Sequence, residues 1–307
     1  MKYLFGPIIS RRLGNSLGID IVPMKTCTLD CIYCECGKSS QINIEPREYI
    51  PSEEIIKEIR NYLKNNSPPD FFTFSGGGEP TLNSGIGKII DFIKDINPNL
   101  KIALITNGTL LVNPEVRRKI IRADVIMPSM DAVSANIFNK INRPAKGISP
   151  DDIIDGIDML KKESAAEVWV EVFLIPGIND MKSELRLIKE ALLKISPDRV
   201  QLNTLDRPAL YKNIQPLSAA KLSQITKFMQ PLNTEVIAAP IRVKIDSLAL
   251  TPDEILHILS RRPLTLEDMR LLFPGRDQDL KRCLQELEIS DKITRKLEER
   301  GEFFKLK

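Results

Sequence analysis

Cys27-Thr28-Leu29-Asp30-Cys31-Ile32-Tyr33-Cys34-Glu35-Cys36 gathers four of the chain's five cysteines into ten residues. Disulfide frameworks belong to short, cysteine-dense chains, and one crowded loop among 307 residues points to a metal site instead. Close-set thiolates suit zinc or an iron-sulfur cluster. Zinc is usually held by two separated pairs, whereas all four cysteines here share one loop, so a zinc knuckle completed by Cys36 is the weaker alternative. The spacing Cys27-x3-Cys31-x2-Cys34 offers three ligands to four irons and leaves one iron open to a second molecule. Cys36 is then a bystander or a thiol facing the substrate. Cys283, far away in a helical stretch, is expected to be packing.

The cysteine loop follows a strand candidate at 17–22. Beyond it, apolar runs at 71–75, 102–106, 125–130, 168–175 and 199–202 alternate with amphipathic helix candidates at 51–63, 85–96, 114–122, 150–162, 181–195 and 218–229. Acidic helix starts such as Ser52-Glu53-Glu54 and Pro150-Asp151-Asp152 complement the helix dipole. This alternation is the mark of an α/β chain with a parallel sheet. Six such units make three quarters of a (β/α)8 barrel, so the expected fold is a partial (β/α)6 TIM-type barrel with its chemistry at the C-terminal ends of the strands. After a short strand at 243–245 the pattern restarts with helices at 252–259, 265–273 and 277–288. A hairpin at 293–297 and 303–306 follows, turning through Glu298-Glu299-Arg300-Gly301. That order is a winged helix, which divides the chain into 1–249 and 250–307.

The strand ends carry the polar candidates. Ser75-Gly76-Gly77-Gly78-Glu79-Pro80-Thr81 combines glycines, which let backbone approach a ligand, with a carboxylate suited to an ammonium group. No Lys-Ser or Lys-Thr follows, so it is not a phosphate loop. Thr106-Asn107-Gly108 and Ser129-Met130-Asp131 end the next two strands, where they can hold a ribose or a carboxylate or simply make turns and caps. Arg143 stands in the following loop. Gly14-Asn15-Ser16-Leu17-Gly18 matches a serine-hydrolase pattern but precedes a strand, and the lone histidine, His257, lies in the C-terminal segment, so no catalytic triad is available.

At this point the residues acquire a resemblance. The triplet Cys27-x3-Cys31-x2-Cys34, with the aromatic Tyr33 before its last cysteine, is similar to that of the radical S-adenosylmethionine (SAM) enzymes, over residues 1 to about 245 if the six-unit barrel sets its extent. Phe5-Gly6-Pro7, Ser10-Arg11-Arg12-Leu13-Gly14, Ser16-Leu17-Gly18-Ile19-Asp20, Asn142-Arg143-Pro144 and Gln201-Leu202-Asn203-Thr204 resemble the branch that includes the wyosine-forming tRNA enzymes. The resemblance implies a 4Fe-4S cluster on Cys27, Cys31 and Cys34, with SAM chelating the fourth iron. It also implies SAM contacts from Gly77, Gly78, Glu79, Ser129 and Asp131, and a loose adenine-side match at Gly177-Ile178-Asn179-Asp180; Tyr33 and Asn107 join them as cofactor candidates, and Arg143 could pair with SAM or substrate or equally be a solvated arginine. One electron from an external reductant such as ferredoxin or flavodoxin would yield methionine and a 5'-deoxyadenosyl radical.

The substrate class is open between RNA and polypeptide. The wyosine branch tilts toward RNA, with Arg11, Arg12, Arg143 and Arg207 as candidate phosphate partners. The net charge of only +3 tilts back. Trp169 is expected to be packing. The segment 250–307 carries twelve basic and twelve acidic residues, too balanced for duplex DNA, so it is expected to dock a substrate or partner. The competing class is a winged-helix regulator with an iron-sulfur or zinc switch. No apolar run approaches a membrane span and the start lacks a signal-peptide layout, so a cytoplasmic enzyme is expected.

Overall fold

The computed structural model describes residues 1–39, 41–206, 214–237, 250–260, 263–273, 275–298 and 301–307. The expected strand at 243–245, the proposed junction at 249/250, Arg207 and the turn residues Glu299 and Arg300 lie outside the described residues.

The chain opens with β1 (Leu4–Ser10) and β2 (Gly14–Ile19), followed by the two-residue strands β3 (Thr26–Cys27) and β4 (Gln41–Ile42). Then come α1 (Ser52–Asn65), β5 (Phe71–Phe74), α2 (Ile86–Ile96), β6 (Ile102–Thr106), α3 (Pro114–Ile120), β7 (Val125–Pro128), α4 (Ala135–Ile141) and α5 (Pro150–Glu163). The alternation continues through β8 (Glu167–Leu174), α6 (Lys182–Ile195), β9 (Arg199–Thr204), α7 (Ala219–Met229) and β10 (Thr234–Val236). The C-terminal segment holds α8 (Pro252–Leu259), β11 (Leu264–Thr265), α9 (Leu266–Leu272), α10 (Asp277–Ile289), β12 (Ile293–Glu298) and β13 (Gly301–Leu306).

One sheet runs β1-β2-β5-β6-β7-β8-β9-β10. Every pairing in it is parallel except that of β1 with β2. Side chains alternate across each strand. Phe72, Phe74, Leu104, Ile126, Val170 and Leu202 share one core with helix residues Ile55, Ile59, Ile89, Ile93, Ile157, Ile188 and Ile225. The intervening positions Ala103, Val125, Met127 and Trp169 form a second cluster containing no helix residue, and Leu13 from the β1–β2 turn completes it. Among the described residues helices therefore cover one face only, which is consistent with a partial barrel rather than a sheet wound on both sides, and the hairpin turn packs into the other face. Trp169 is packing, as expected, with Arg199 stacked 4.5 Å from its ring.

Helix starts follow their local chemistry. α5 opens with a capping box in which Ser149 and Asp152 satisfy each other's backbone N–H, and Pro150 occupies the first turn. α3 is capped by Asn113. The expected first strand at 17–22 begins earlier, at Gly14, because it is the second arm of a hairpin. β1, α4 and β10 were not expected at all.

The C-terminal segment builds its own core from Ile255, Leu259, Met269, Leu272, Leu280, Leu284, Leu287 and Phe304, and Ile8 and Ile9 of β1 pack against it. Its sheet runs β11-β13-β12, and Cys283 is buried in its core, as packing. His257 Nε2 lies 3.4 Å from the Leu4 carbonyl, tying α8 to β1. Among the described residues no helix is long and apolar enough to cross a membrane.

Candidate active site

The cysteine loop has almost no regular structure of its own, and neighbouring segments hold its backbone. On one side Lys25 N donates to Gly77 O (2.7 Å) and Glu79 N to Thr26 O (3.0 Å). On the other, Ile32 N donates to Ile141 O (2.9 Å) and Asp30 N to Asn142 O (3.0 Å), both at the end of α4. Gly78 makes this approach possible: a Cβ there would stand 2.1 Å from the Thr26 carbonyl oxygen. The glycine run thus seats the loop whatever else it contacts.

Glu79 is buried at 2 % exposure and heavily bonded. Its Oε1 accepts from Thr81 N (3.0 Å), Thr81 Oγ1 (2.6 Å) and Thr106 Oγ1 (2.7 Å), and its Oε2 accepts from Asn107 N (2.7 Å). The carboxylate expected to meet an ammonium group is therefore first a pin between the glycine turn and the end of β6. Burial raises its pKa, against the pull of these hydrogen bonds.

Asp131 performs the matching task at β7. Its Oδ2 accepts from Tyr33 Oη (2.5 Å) and Asn142 Nδ2 (2.7 Å), and its Oδ1 accepts from Phe173 N (2.9 Å). Burial pushes its pKa up to about 6. Tyr33 is held flat on Phe173, with centroids 3.8 Å apart and an interplanar angle of 8°. Ser129 sits beside them in an isolated bridge to Glu171, donating its N–H to Thr106 O. Asn179, in the loop expected on the adenine side, is wholly buried and bonds to Ile175 N, Asp131 O and Phe173 O. Arg143 has a positive φ of 45° and approaches Asp30 at 4.0 Å.

Two of the thiols are met by an amide donor. Asn107 Nδ2 lies 3.4 Å from Cys27 Sγ, and Asn142 Nδ2 lies 3.4 Å from Cys31 Sγ. Cys36 hydrogen-bonds Cys34, and this lowers the Cys34 thiol to about 7. Burial, reinforced by Glu79, pushes Cys27 up to about 12. Burial and then Asp131 push Cys31 upward, and the hydrogen bond to Cys34 pushes Cys36 upward. Asn142 went unrecognised in the sequence as a site residue, although the Asn142-Arg143-Pro144 stretch contained it. Its Oδ1 is buried with no hydrogen-bond partner among the described residues.

A cavity of about 420 Å³ opens beside the loop. Cys31, Tyr33, Cys34 and Cys36 line one side, Arg12 and Glu171 another, and Leu264, Leu271 and Leu272 of the C-terminal segment a third. Of the expected cluster and SAM residues, Cys31, Tyr33 and Cys34 are on its wall, and so are Cys36 and the expected phosphate partners Arg11 and Arg12. Each of these two arginines already carries an ion pair. Arg12 is ion-paired with Glu171 across the sheet and reaches Gln201 Oε1 at 3.3 Å, while Arg11 pairs with Asp206 at 3.4 Å. Two adjacent arginines look alike whether solvated or paired, and only the fold brings β8 and β9 to them.

Among the described residues, no three Cys, His, Asp or Glu side chains converge on a point where a single ion would sit. Three soft sulfurs on one loop fit a larger sulfur-ligated group better than a lone zinc, and the buried acceptor at Asn142 Oδ1 is a place for a donor that the described residues do not supply. A family model for the radical SAM superfamily matches residues 21–187. The chain belongs to the radical SAM superfamily. Its members are enzymes that use a 4Fe-4S cluster and SAM.

The chain is 34% identical over 305 residues to a UPF0026 protein of Helicobacter pylori strain J99, covering 97% of both. It is 35% identical over 295 residues to a Brachyspira hyodysenteriae protein named GTPase Obg, covering 95% of this chain but only 43% of that protein. Two solved structures share the fold. SuiB of Streptococcus suis bound to SAM has a TM-score of 0.53 at 15% identity, covering 71% of this chain and 49% of SuiB. TYW1 with a lysine-pyruvate adduct has a TM-score of 0.52 at 19% identity, covering 70% of this chain and 72% of TYW1.

Proposed function

We propose that Cys27, Cys31 and Cys34 each ligate one iron of a 4Fe-4S cluster and that the enzyme cleaves SAM reductively to modify a macromolecule. The observation that carries the reading is the placement of three cysteines on one loop, pinned from both sides, beside a cavity large enough for a ligand. When bound, cluster and SAM together with one electron from a ferredoxin- or flavodoxin-like donor supply methionine and a 5'-deoxyadenosyl radical.

The protein's own residues then have distinct tasks. Glu79 and Asp131 fix the loop, and the free lone pair of Glu79 Oε2 is the feature that suits the amino group of SAM. Gly77 and Gly78 bring backbone close. Asn107, Ser129 and Arg143 stand around the loop as the remaining candidate SAM contacts. Tyr33, stacked on Phe173, closes the floor of the cavity.

The sheet of residues 1–249 is best described as a (β/α)6 barrel. Residues 250–307, in the order α8-β11-α9-α10-β12-β13, are best described as a winged helix whose α9 side borders the cavity. A substrate therefore enters between this unit and the cysteine loop. With Arg11 and Arg12 ion-paired, support for RNA weakens and a polypeptide moves ahead. The test is iron and sulfide analysis after anaerobic reconstitution, with EPR of the reduced cluster before and after SAM addition. The reading expects four irons per chain and a SAM-dependent change of signal, and one zinc with no signal overturns it. Salt-dependent RNA binding would restore the RNA reading.

A further inference from the structure

We infer that Asn107 and Asn142 are positioning residues that donate one amide N–H each to a cluster sulfur, and so raise the potential at which the cluster accepts its electron. The inference rests on the reading that Cys27 and Cys31 are ligands, and it assigns a task to two side chains from separate parts of the fold. Asn107 follows the end of β6 and Asn142 caps the end of α4. Both amides are used in the same way. Asn107 Nδ2 gives one N–H to Cys27 Sγ (3.4 Å) and the other to Thr28 Oγ1 (2.7 Å). Asn142 Nδ2 gives one to Cys31 Sγ (3.4 Å) and the other to Asp131 Oδ2 (2.7 Å).

The chemistry around each amide fixes which end faces the sulfur. Asn107 Oδ1 already accepts from Thr109 N (3.1 Å) and Thr109 Oγ1 (2.7 Å), so a flipped amide would set N–H against N–H. A flipped Asn142 would set its oxygen against the Asp131 carboxylate. Both sulfurs also have a buried carboxylate nearby, Glu79 toward Cys27 and Asp131 toward Cys31. Reduction adds negative charge to the cluster and its thiolates, which these carboxylates oppose. An N–H dipole aimed at the sulfur favours the reduced form and offsets them.

The experiment is an EPR-monitored redox titration of the anaerobically reconstituted full chain and of its Asn107→Leu, Asn142→Leu and double variants. Each single change is expected to move the midpoint potential negative, and the double change to move it furthest. A residue that only supports folding would lower the amount of cluster without moving the potential of what remains. Resonance Raman spectra of the wild type in D2O supply a reading that needs no variant, because iron–sulfur stretching bands of hydrogen-bonded thiolates shift on exchange. Unchanged potentials with deuterium-insensitive bands overturn this inference alone. A wild type that takes no four-iron cluster overturns it together with the reading beneath it.

Discussion

Residues 24–44 and residues 251–306 are held together by opposite means. Among the described residues the cysteine loop owns one two-residue strand pairing, and its shape is imposed from outside by Gly77, Glu79, Ile141 and Asn142. The C-terminal unit makes its own apolar core and caps its own helices, with Thr251 on α8 and a Thr265–Asp268 capping box on α9. The loop needs the rest of the sheet to be a site, whereas the unit beside it draws most of its core from its own residues, with Ile8 and Ile9 packed against it. Damage should spread accordingly: a lost pin should reach the cluster, and a lost core residue in the unit should not.

The largest effect expected is at the loop itself. Alanine at Cys27, Cys31 or Cys34 should abolish the cluster outright, while Cys36→Ala should leave it present, as read by iron content and visible absorption. If Cys36→Ala alone removes the metal, the four-cysteine zinc alternative returns.

Next in size is the pin. Glu79→Ala removes four hydrogen bonds to buried donors and should cost roughly 3–4 kcal/mol in chemical denaturation, with cluster content falling in parallel. Leu280→Ala is the counterpart in the other region. Leu280 is fully buried, and its truncation should cost about 3 kcal/mol while iron content stays at the wild-type level. Equal loss of cluster in both variants would erase the contrast between the two regions.

A smaller effect follows from Asp131. Its folded pKa of about 6 lies above the ordinary carboxylate value of 3.8, so the folded protein holds this proton more tightly than the unfolded chain. The stabilisation is full below about pH 4 and is lost as pH rises through about 6, on the order of 2–3 kcal/mol across that window. Asp131→Asn should flatten this part of the stability profile of the cluster-free protein. A wild-type profile identical in shape to that of the variant would contradict the assignment.

The sequence showed the long, uniform elements well, because apolar β-branched runs such as Ile102–Thr106 and amphipathic stretches such as Lys182–Ile195 carry their own signal. It hid β1, whose glycine and proline break the strand pattern, and α4, whose seven residues are too few for a helical period to declare itself. The cysteines were legible from spacing alone. Their supports were not, since Asn142 meets Cys31 across 111 positions of chain and Arg12 meets Glu171 across 159. Glu79 and Asp131 were recognised as site residues, but the protein donors that hold each of them are a tertiary fact no local pattern encodes.

A cysteine loop pinned in this way should serve a SAM-cleaving enzyme. The most direct test is to incubate the anaerobically reconstituted protein with SAM and dithionite and to quantify methionine and 5'-deoxyadenosine. Both products are expected in equal amounts from the wild type and neither from Cys31→Ala. A wild-type protein that binds a single zinc and releases neither product would contradict this expectation.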